Sequence, residues 1–455
     1  MWPPLQWAPP ALVPHRRKRY ERMTRPLDHM TAANATSAER ETLPLKKVKV
    51  LYVVSEMPIP ATSGGKMALT NHLREVATDA RLEVTVLAID VGLQGLGTIE
   101  WQKEMGIQSI EFERSLPRLQ SIPAILKAIK QVLFSSLPRD LELRANPKAL
   151  SFVSNALKNR TFDVIVIDHY GGVPLIDGLE HDVPVLYIAH NVEHTITRQK
   201  VDMTGRFNPL RYLHYWEHRK AKQAELRLIK QSDRILCIAT TDIPELRRLK
   251  GSDTEKVSAL PEFLPRAPIR WKYSGTHSLL FVGSSGYFPN HEAILWLVQE
   301  LAPRLTTLIP SLRIILCGTS QPDIAAERHP NVHYQGFVSE ERLQQLHLEC
   351  DAFICPIELG SGVKMKVLAA LAHAMPVLTT QNGAAGLPWM PQDAIFDRSD
   401  AVAAAAMIAG MLQNPEALAD LAQRQFTAYE DQLRRREGLL AHTIIEMAHK
   451  DQPAA

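Results

Sequence analysis

The sequence predicts an α/β protein built from two doubly wound, Rossmann-like parallel-sheet domains that face each other across a cleft. Three observations predict it. Short runs rich in Val, Ile and Leu, such as VKVLYVVS, FDVIVIDH and LRIILCG, read as strands buried on both faces. Each is followed by a glycine-containing loop or an amphipathic helical stretch, the alternation of βαβ units. The series breaks off once, at ALPEFLPRAPIRWKYSG, and then restarts. Pro261, Pro265 and Pro268 cannot continue a helix or a central strand there, so the break reads as an inter-domain connection.

In chain order, residues 1–45 form a basic, proline-rich tail with neither helical nor strand period. Its charge precedes no continuous apolar core, so a secretory signal is not expected and disorder is the expectation. The competing reading is a basic-aromatic contact with a membrane surface through Arg16, Arg17, Lys18 and Arg19. Residues 46–265 form the first domain. VKVLYVVS opens it, SGGKMALTNHLREVATDA supplies a glycine loop and helix, and LEVTVLAID is the next strand. SIPAILKAIKQVLF places Ile122, Ile125, Leu126, Ile129, Val132 and Leu133 on one helical face, away from Lys127 and Lys130. That face is expected to meet the core, with a peripheral membrane contact as the alternative. FDVIVIDH and VPVLYIAHN are further strands, then a helix from Leu210 to Gln231 leads into SDRILCIAT.

Residues 266–430 form the second domain: SLLFVGS, a helix from Asn290, LRIILCG, VHYQGF, DAFICP, the loop and helix ELGSGVKMKVLAAL, and MPVLTT. The chain closes with two helical segments, Asp400 to Leu412 and Pro415 to His449. Residues 431–455 are assigned to a final helix that packs back on the first domain.

Composition narrows the function classes. With 45% hydrophobic and 22% charged residues the 455-residue chain is ordinary for a globular protein. A net charge of +3 excludes a general polyanion binder, so no nucleic-acid partner is expected. Cys237, Cys317, Cys350 and Cys355 lie in or beside apolar runs and read as core packing in a reducing, cytoplasmic compartment, with the inner membrane face as the second option. No metal site is expected.

Ligands in open parallel sheets bind beyond the carboxyl ends of the strands, so the residues there carry the chemistry. After the first strand, Gly64 and Gly65 let the backbone turn sharply or approach a ligand. His190, Asn191 and Glu193 follow VPVLYIA. HNVEH also matches the H-x-x-E-H zinc pattern, with Glu217 or Glu262 as a third ligand, but His190 ends a strand and so does not share a regular helix with His194. In the second domain Gly283 and Ser284 offer amides and a hydroxyl to a phosphate. Neither GxGxxG nor GxxxxGK[ST] occurs. Gly336, Phe337 and Val338 end VHYQGF, where a flat base could lie. Gly360, Ser361, Gly362 and Val363 lead to a helix start carrying Lys364 and Lys366. Cations oppose the helix dipole there, so an anion such as a diphosphate is expected to offset them.

FVGSSGYFPNHEAILWL, ICPIELGSGVKMKVLAALAHAMPVLTT and NGAAGL together resemble the retaining "group 1" glycosyltransferases of the GT-B fold. SGGKM, HNVE and AELRLIKQSDRILCIATTD resemble the bacterial polysaccharide-synthesis members, and the likeness spans roughly Lys46 to Lys450. The resemblance implies a donor domain, the second, that binds a UDP- or GDP-sugar, and an acceptor domain, the first, that receives a glycan or lipid-linked acceptor. It implies that Gly64 and Gly65 lie near the transferred sugar and diphosphate, and that His190 faces the sugar. Gly283 and Ser284 fall on the phosphate loop, and Gly360 to Lys366 on the diphosphate and sugar loop. No permanently bound cofactor or metal is implied. The family's two glutamates, with seven residues between them, fall on Ser361 and Ala369. The second usually accepts hydrogen bonds from the ribose, worth roughly 1.5–3 kcal/mol each, so its loss implies weaker donor binding. Glu358 is a partial substitute at the sugar. A catalytically weak or inactive nucleotide- or partner-binding protein is the alternative reading.

Overall fold

The computed structural model describes residues 46–55, 58, 64–88, 103, 105–111, 135–319, 329–360 and 362–450. The amino-terminal tail, the amphipathic stretch 122–134 and Ser361 lie outside the described residues.

The first sheet contains β1 (Val48–Val54), β2 (Leu82–Ala88), β3 (Gln108–Glu111), β4 (Val164–Asp168), β5 (Val185–Ala189), β6 (Arg234–Cys237) and β7 (Val257–Ala259). They pair in parallel in the order β3-β2-β1-β4-β5-β6-β7. The second sheet contains β8 (Ser278–Val282), β9 (Arg313–Cys317), β10 (Val332–Gly336), β11 (Ala352–Cys355) and β12 (Val377–Thr379). Their order is β10-β9-β8-β11-β12, again parallel. Both orders reverse beside the first strand of the sheet, which opens a crevice at the carboxyl ends of β1 and β4 and of β8 and β11.

Strand pleating explains why the runs lack polar residues. Leu51 and Val53 of β1 join Ile165, Ile167 and Tyr187 in one apolar layer, whereas Val50, Tyr52 and Val54 join Val166 and Leu186 in the other. Successive side chains point to opposite faces and both faces are covered, so each position must be apolar. Helix α1 (Gly64–Thr78) covers the second layer; α2 (Arg139–Glu142), α3 (Pro147–Lys158), α5 (Leu210–Gln231) and α6 (Ile243–Lys250) cover the first, with α4 (Glu193–Met203) packed on α5. Asn146 caps α3 by accepting from the amides of Lys148 and Ala149. The second domain adds α7 (Phe288–Trp296), α8 (Ala302–Leu308), α9 (Glu340–Glu349), α10 (Met365–Ala372), α11 (Ala401–Leu412) and α12 (Pro415–Arg436). α12 belongs to its core through Leu418, Leu421, Phe426 and Tyr429.

The closing helical segment is not continuous. Gly438 adopts φ 73°, ends α12 and lets α13 (Leu439–Lys450) return to the first sheet, where Leu440, Ala441 and Ile444 are buried. Glu75 of α1 fixes the crossing: it pairs with the Arg436 guanidinium and accepts from the Leu440 amide at 2.8 Å. A carboxylate at the start of α13 also matches the helix dipole. The four cysteines are all buried; burial pushes the Cys237 and Cys350 thiols up to about 12.

Candidate active site

The carboxyl ends of β1, β4 and β5 carry a buried charge network. Register places Asp168, the last residue of β4, beside Val54 and Ile188. Its carboxylate accepts from the Tyr52 hydroxyl at 2.6 Å and lies 2.8 Å from His72 Nδ1 and 2.6 Å from His190 Nε2. The other His72 nitrogen, Nε2, forms an ion pair with Glu262 at 2.8 Å. Glu262 in turn accepts from Asn71 at 3.0 Å. Burial alone would discharge His72, but Asp168 and Glu262 outweigh it and raise the imidazole to about 10. Burial likewise opposes an ionised Asp168; His72 and His190 overcome it and hold the carboxyl well below the usual range. His72 is therefore an imidazolium clamped between two carboxylates, and Asp168 fixes the orientation of His190.

His169, next in the chain, adopts φ 85°. A histidine in that region is strained, and the Gly171 amide holds it by donating to Nδ1 at 3.0 Å. Gly171 has no room for a side chain, since a Cβ would collide with Ser55 after β1. His169 Nε2 lies 3.6 Å from Glu193, the first residue of α4. Burial and then Glu225 raise the Glu193 carboxyl to about 7.

The H-x-x-E-H pattern is divided between two tasks. His190 follows β5 and turns to Asp168, whereas His194 lies in α4 with Nδ1 2.7 Å from Glu225. Glu225 also accepts from the Glu193 and His194 amides at 2.8 and 3.0 Å and so caps that helix. Glu217 accepts instead from the Arg139 amide. His72, Asp168 and His190 bring three ligand-type atoms within 4.8 Å of one another. Their 2.6 and 2.8 Å contacts are hydrogen-bond lengths. A tetrahedral ion with bonds of about 2.0–2.1 Å would spread its ligands to about 3.3 Å. In this structure the trio is joined by hydrogen bonds.

Across the cleft, the ends of β8, β9 and β10 form a ledge of glycines. The Gly283 amide donates to Cys317 O at 2.7 Å and the Gly318 amide to Gly336 O at 2.8 Å. A Cβ on Gly318 would strike the Gly283 carbonyl. The Ser284 hydroxyl bonds Thr319, two residues past the end of β9. Beyond Gly336, which adopts φ 67°, Phe337 stands 77% exposed beside the ledge. Val338 packs against the second core. Glu358, after β11, is exposed to solvent on one side, and desolvation on its protein-facing side raises its carboxyl against the pull of Arg398.

Lys364 precedes α10 and Lys366 lies in its first turn, a start that no side chain caps. Lys366 Nζ donates to Asn290 Oδ1 at 2.6 Å and stands 4.6 Å from the Phe281 ring centroid. Burial lowers its ammonium to about 8. Lys364 Nζ donates to Gly362 O at 2.8 Å, and burial lowers it while Cys355 and then Asp242 of the first domain oppose the shift. The cations that an anion was expected to offset thus already donate, Lys364 to loop carbonyls and Lys366 to the Asn290 amide oxygen.

The two halves meet at these loops. Gly362 adopts φ 79°, and a Cβ there would come within 2.5 Å of Asn191 Oδ1 and 3.4 Å of His190 O. Gly386 leaves similar room for Val363. A Cβ on Gly64 would lie 3.1 Å from Met365 Cγ, so the starts of α1 and α10 face each other. Gly65 faces open space. Gly360, at φ 86°, lies against Tyr287. Of the sequence-derived candidates, Gly64, His190, Gly283, Gly362, Val363 and Lys366 thus lie where the two domains meet or directly beside it. Asp168, His72, Asn290, Thr319 and Asp242 were not among them. A lone acid ending an otherwise apolar strand was the available signal for Asp168.

Residues 276–414 match the family model described as "Glycosyl transferases group 1". An uncharacterized 44.6 kDa protein in a cps region of Klebsiella pneumoniae is 24% identical over 184 residues, 38% of this chain. The chain spans about half of that relative, 47% of its length. Among solved structures, S. aureus TarM superposes at a TM-score of 0.63 with 11% identity, covering 89% of this chain and 99% of that one. Sucrose-phosphate synthase from Thermosynechococcus elongatus gives 0.63 at 13% identity, covering 89% and 100%. Anabaena HepE in complex with UDP and glucose gives 0.57 at 13% identity, covering 88% and 100%. The chain therefore has the GT-B fold, and its second domain is the part that matches the group 1 glycosyltransferases.

Proposed function

We propose that the chain is a retaining, metal-independent hexosyltransferase. It would move a sugar from a UDP- or GDP-sugar to a glycan, a lipid-linked glycan or another hydroxyl acceptor in cell-surface polysaccharide or glycoconjugate synthesis. One observation carries this reading: the starts of α1 and α10 converge on the cleft beside Lys364 and Lys366. Amide dipoles and two neighbouring cations suit a diphosphate that gains charge as the sugar leaves. In the transfer, the bond from the anomeric carbon to the diphosphate breaks with its electron pair going to the phosphate oxygen. The acceptor hydroxyl then adds on the face just vacated, and its proton passes to the departing diphosphate. Asp168 accepts from His190 Nε2–H, which leaves Nδ1 to accept from a sugar hydroxyl. Phe337 would offer its exposed ring to the base. The HepE complex with UDP-glucose, and the TarM complex with UDP and alpha-GlcNAc-glycerol, support a nucleotide-sugar donor and a glycosidic product. The cps-region relative supports a polysaccharide role.

Incubation with UDP- and GDP-sugars and glycan acceptors, followed by proton NMR of the product, tests it. An anomeric configuration identical to the donor's is expected; an inverted product overturns retention. Position 369 supplies an independent check. Ala369 is half-buried in α10, and its carbonyl accepts from His373. Ala369→Glu is expected to tighten nucleotide binding about ten-fold or more by restoring a charged acceptor for the ribose. Unchanged affinity by calorimetry would place the ribose elsewhere.

A further inference from the structure

The tip between α4 and α5 carries a surface that the sugar-transfer reading does not use. Half of the exposed large apolar side chains among the described residues fall between Met203 and Trp216. Phe207 is 96% exposed and Tyr212 76%, with Leu210, Tyr215 and Trp216 beside them. Residues 198–222 hold seven lysines and arginines against Asp202 and Glu217. That excess exceeds the net charge of the whole chain. Trp216 also lines a cavity of about 380 Å³ with Arg219, Lys220 and Arg227. Within it Arg227 Nη2 is buried without a hydrogen-bond partner, although Nε is held by Asp177 at 2.8 Å.

We infer that this tip docks the protein on an anionic lipid bilayer. Amphipathic Tyr and Trp rings settle at the headgroup level, and the flanking cations are attracted by anionic lipids. The basic cavity behind Trp216 matches a lipid phosphate. Charge decides against a second copy of the chain as the occupant, because two such tips would repel. Helix α4 starts at Glu193 in the cleft and ends at Met203 on the tip, which spans about 15 Å at 1.5 Å per residue. The cleft thus lies within reach of a headgroup standing off the bilayer. On the transferase reading, which the docking itself does not need, the acceptor is lipid-linked.

Vesicle flotation of the full chain tests the inference. The protein is expected to float with vesicles of equal parts phosphatidylcholine and phosphatidylglycerol, but not with phosphatidylcholine alone. Arg206→Glu combined with Arg219→Glu is expected to lower partitioning at least about ten-fold. Phe207→Ser with Trp216→Ser is expected to lower it too, at unchanged charge. All of these side chains are exposed, so thermal melting and nucleotide affinity should stay as in the wild type. Brominated lipid should quench tryptophan fluorescence less in Trp216→Phe than in the wild type. Equal flotation with neutral vesicles, or wild-type partitioning by both variants, overturns the inference. A wild-type dimer that Phe207→Ser with Trp216→Ser dissolves would instead make the tip a self-association face. Loss of sugar transfer with intact flotation would count against the transferase reading alone.

Discussion

Replacing Lys366 by methionine is expected to lower donor turnover about 10²–10³-fold, the loss typical when one preorganised charge-stabilising donor is removed. Methionine keeps the bulk of the stem in contact with Phe281 and removes only the cation. Lys366 is placed by three contacts: Asn290 Oδ1 at 2.6 Å, the Phe281 ring at 4.6 Å, and the space that Gly283 leaves by lacking a Cβ, which would lie 2.7 Å from Nζ. The variant should therefore fold normally while losing turnover. Arg, with its wider planar head, should rescue little of it. The same cation predicts the pH profile. Burial holds Lys366 near 8 in the unliganded chain, so a rise in pH through 8 discharges it. A bound diphosphate favours the ammonium and pushes that value up. Thus kcat/KM should fall above about pH 8, whereas kcat at saturating donor should fall at higher pH. In Lys366→Met the step in kcat/KM near 8 should be absent; its persistence would assign it to another group.

Asp168→Ala is expected to destabilise the first domain by about 3–5 kcal/mol, measured by urea unfolding. Removing one partner of a buried ionic group leaves the others charged and unpaired. Here the Tyr52 hydroxyl and His190 lose their buried partner, and the imidazolium of His72 keeps only Glu262. The network also predicts how wild-type stability depends on pH. His72 has a folded value of about 10 against an ordinary 6.5, so the native state holds the extra proton between those values. Its contribution is complete below about pH 6.5 and is lost as pH rises through 10. In that window stability should decline by up to about 1.4 kcal/mol per pH unit. His72→Phe should flatten the decline; an unchanged slope would show that His72 is neutral in the folded protein.

The parts of this molecule legible in its sequence are those encoded by local pattern. Strands β1, β4, β5 and β9 are continuous apolar runs because both faces of each sheet are covered, and α5 runs from Leu210 to Gln231 as its period indicates. His190 and the Gly360–Lys366 loop could be located because His190 directly follows β5 and the loop lies a few residues beyond β11. The Asp168 network was illegible because its members come from β1, α1, β4, the stretch after β5 and the inter-domain connection, with His72 and Asp168 96 residues apart. Only the reversal of strand order between β1 and β4 brings them together. The break at Gly438 was hidden for a related reason: α12 and α13 each keep a helical period, and only the anchor on Glu75 shows that they serve different domains. The partners of Lys364 and Lys366 lie in the loop carbonyls and in Asn290, none of which the helix sequence itself discloses.

Calorimetric titration of UDP and GDP into the full chain near pH 7, with Lys366→Met as the comparison, tests the central claim most directly. Saturable binding of at least one nucleotide, weakened in the variant, is the predicted result. Absence of binding by either nucleotide at millimolar concentration, or identical affinity in wild type and variant, would contradict a diphosphate site at the start of α10.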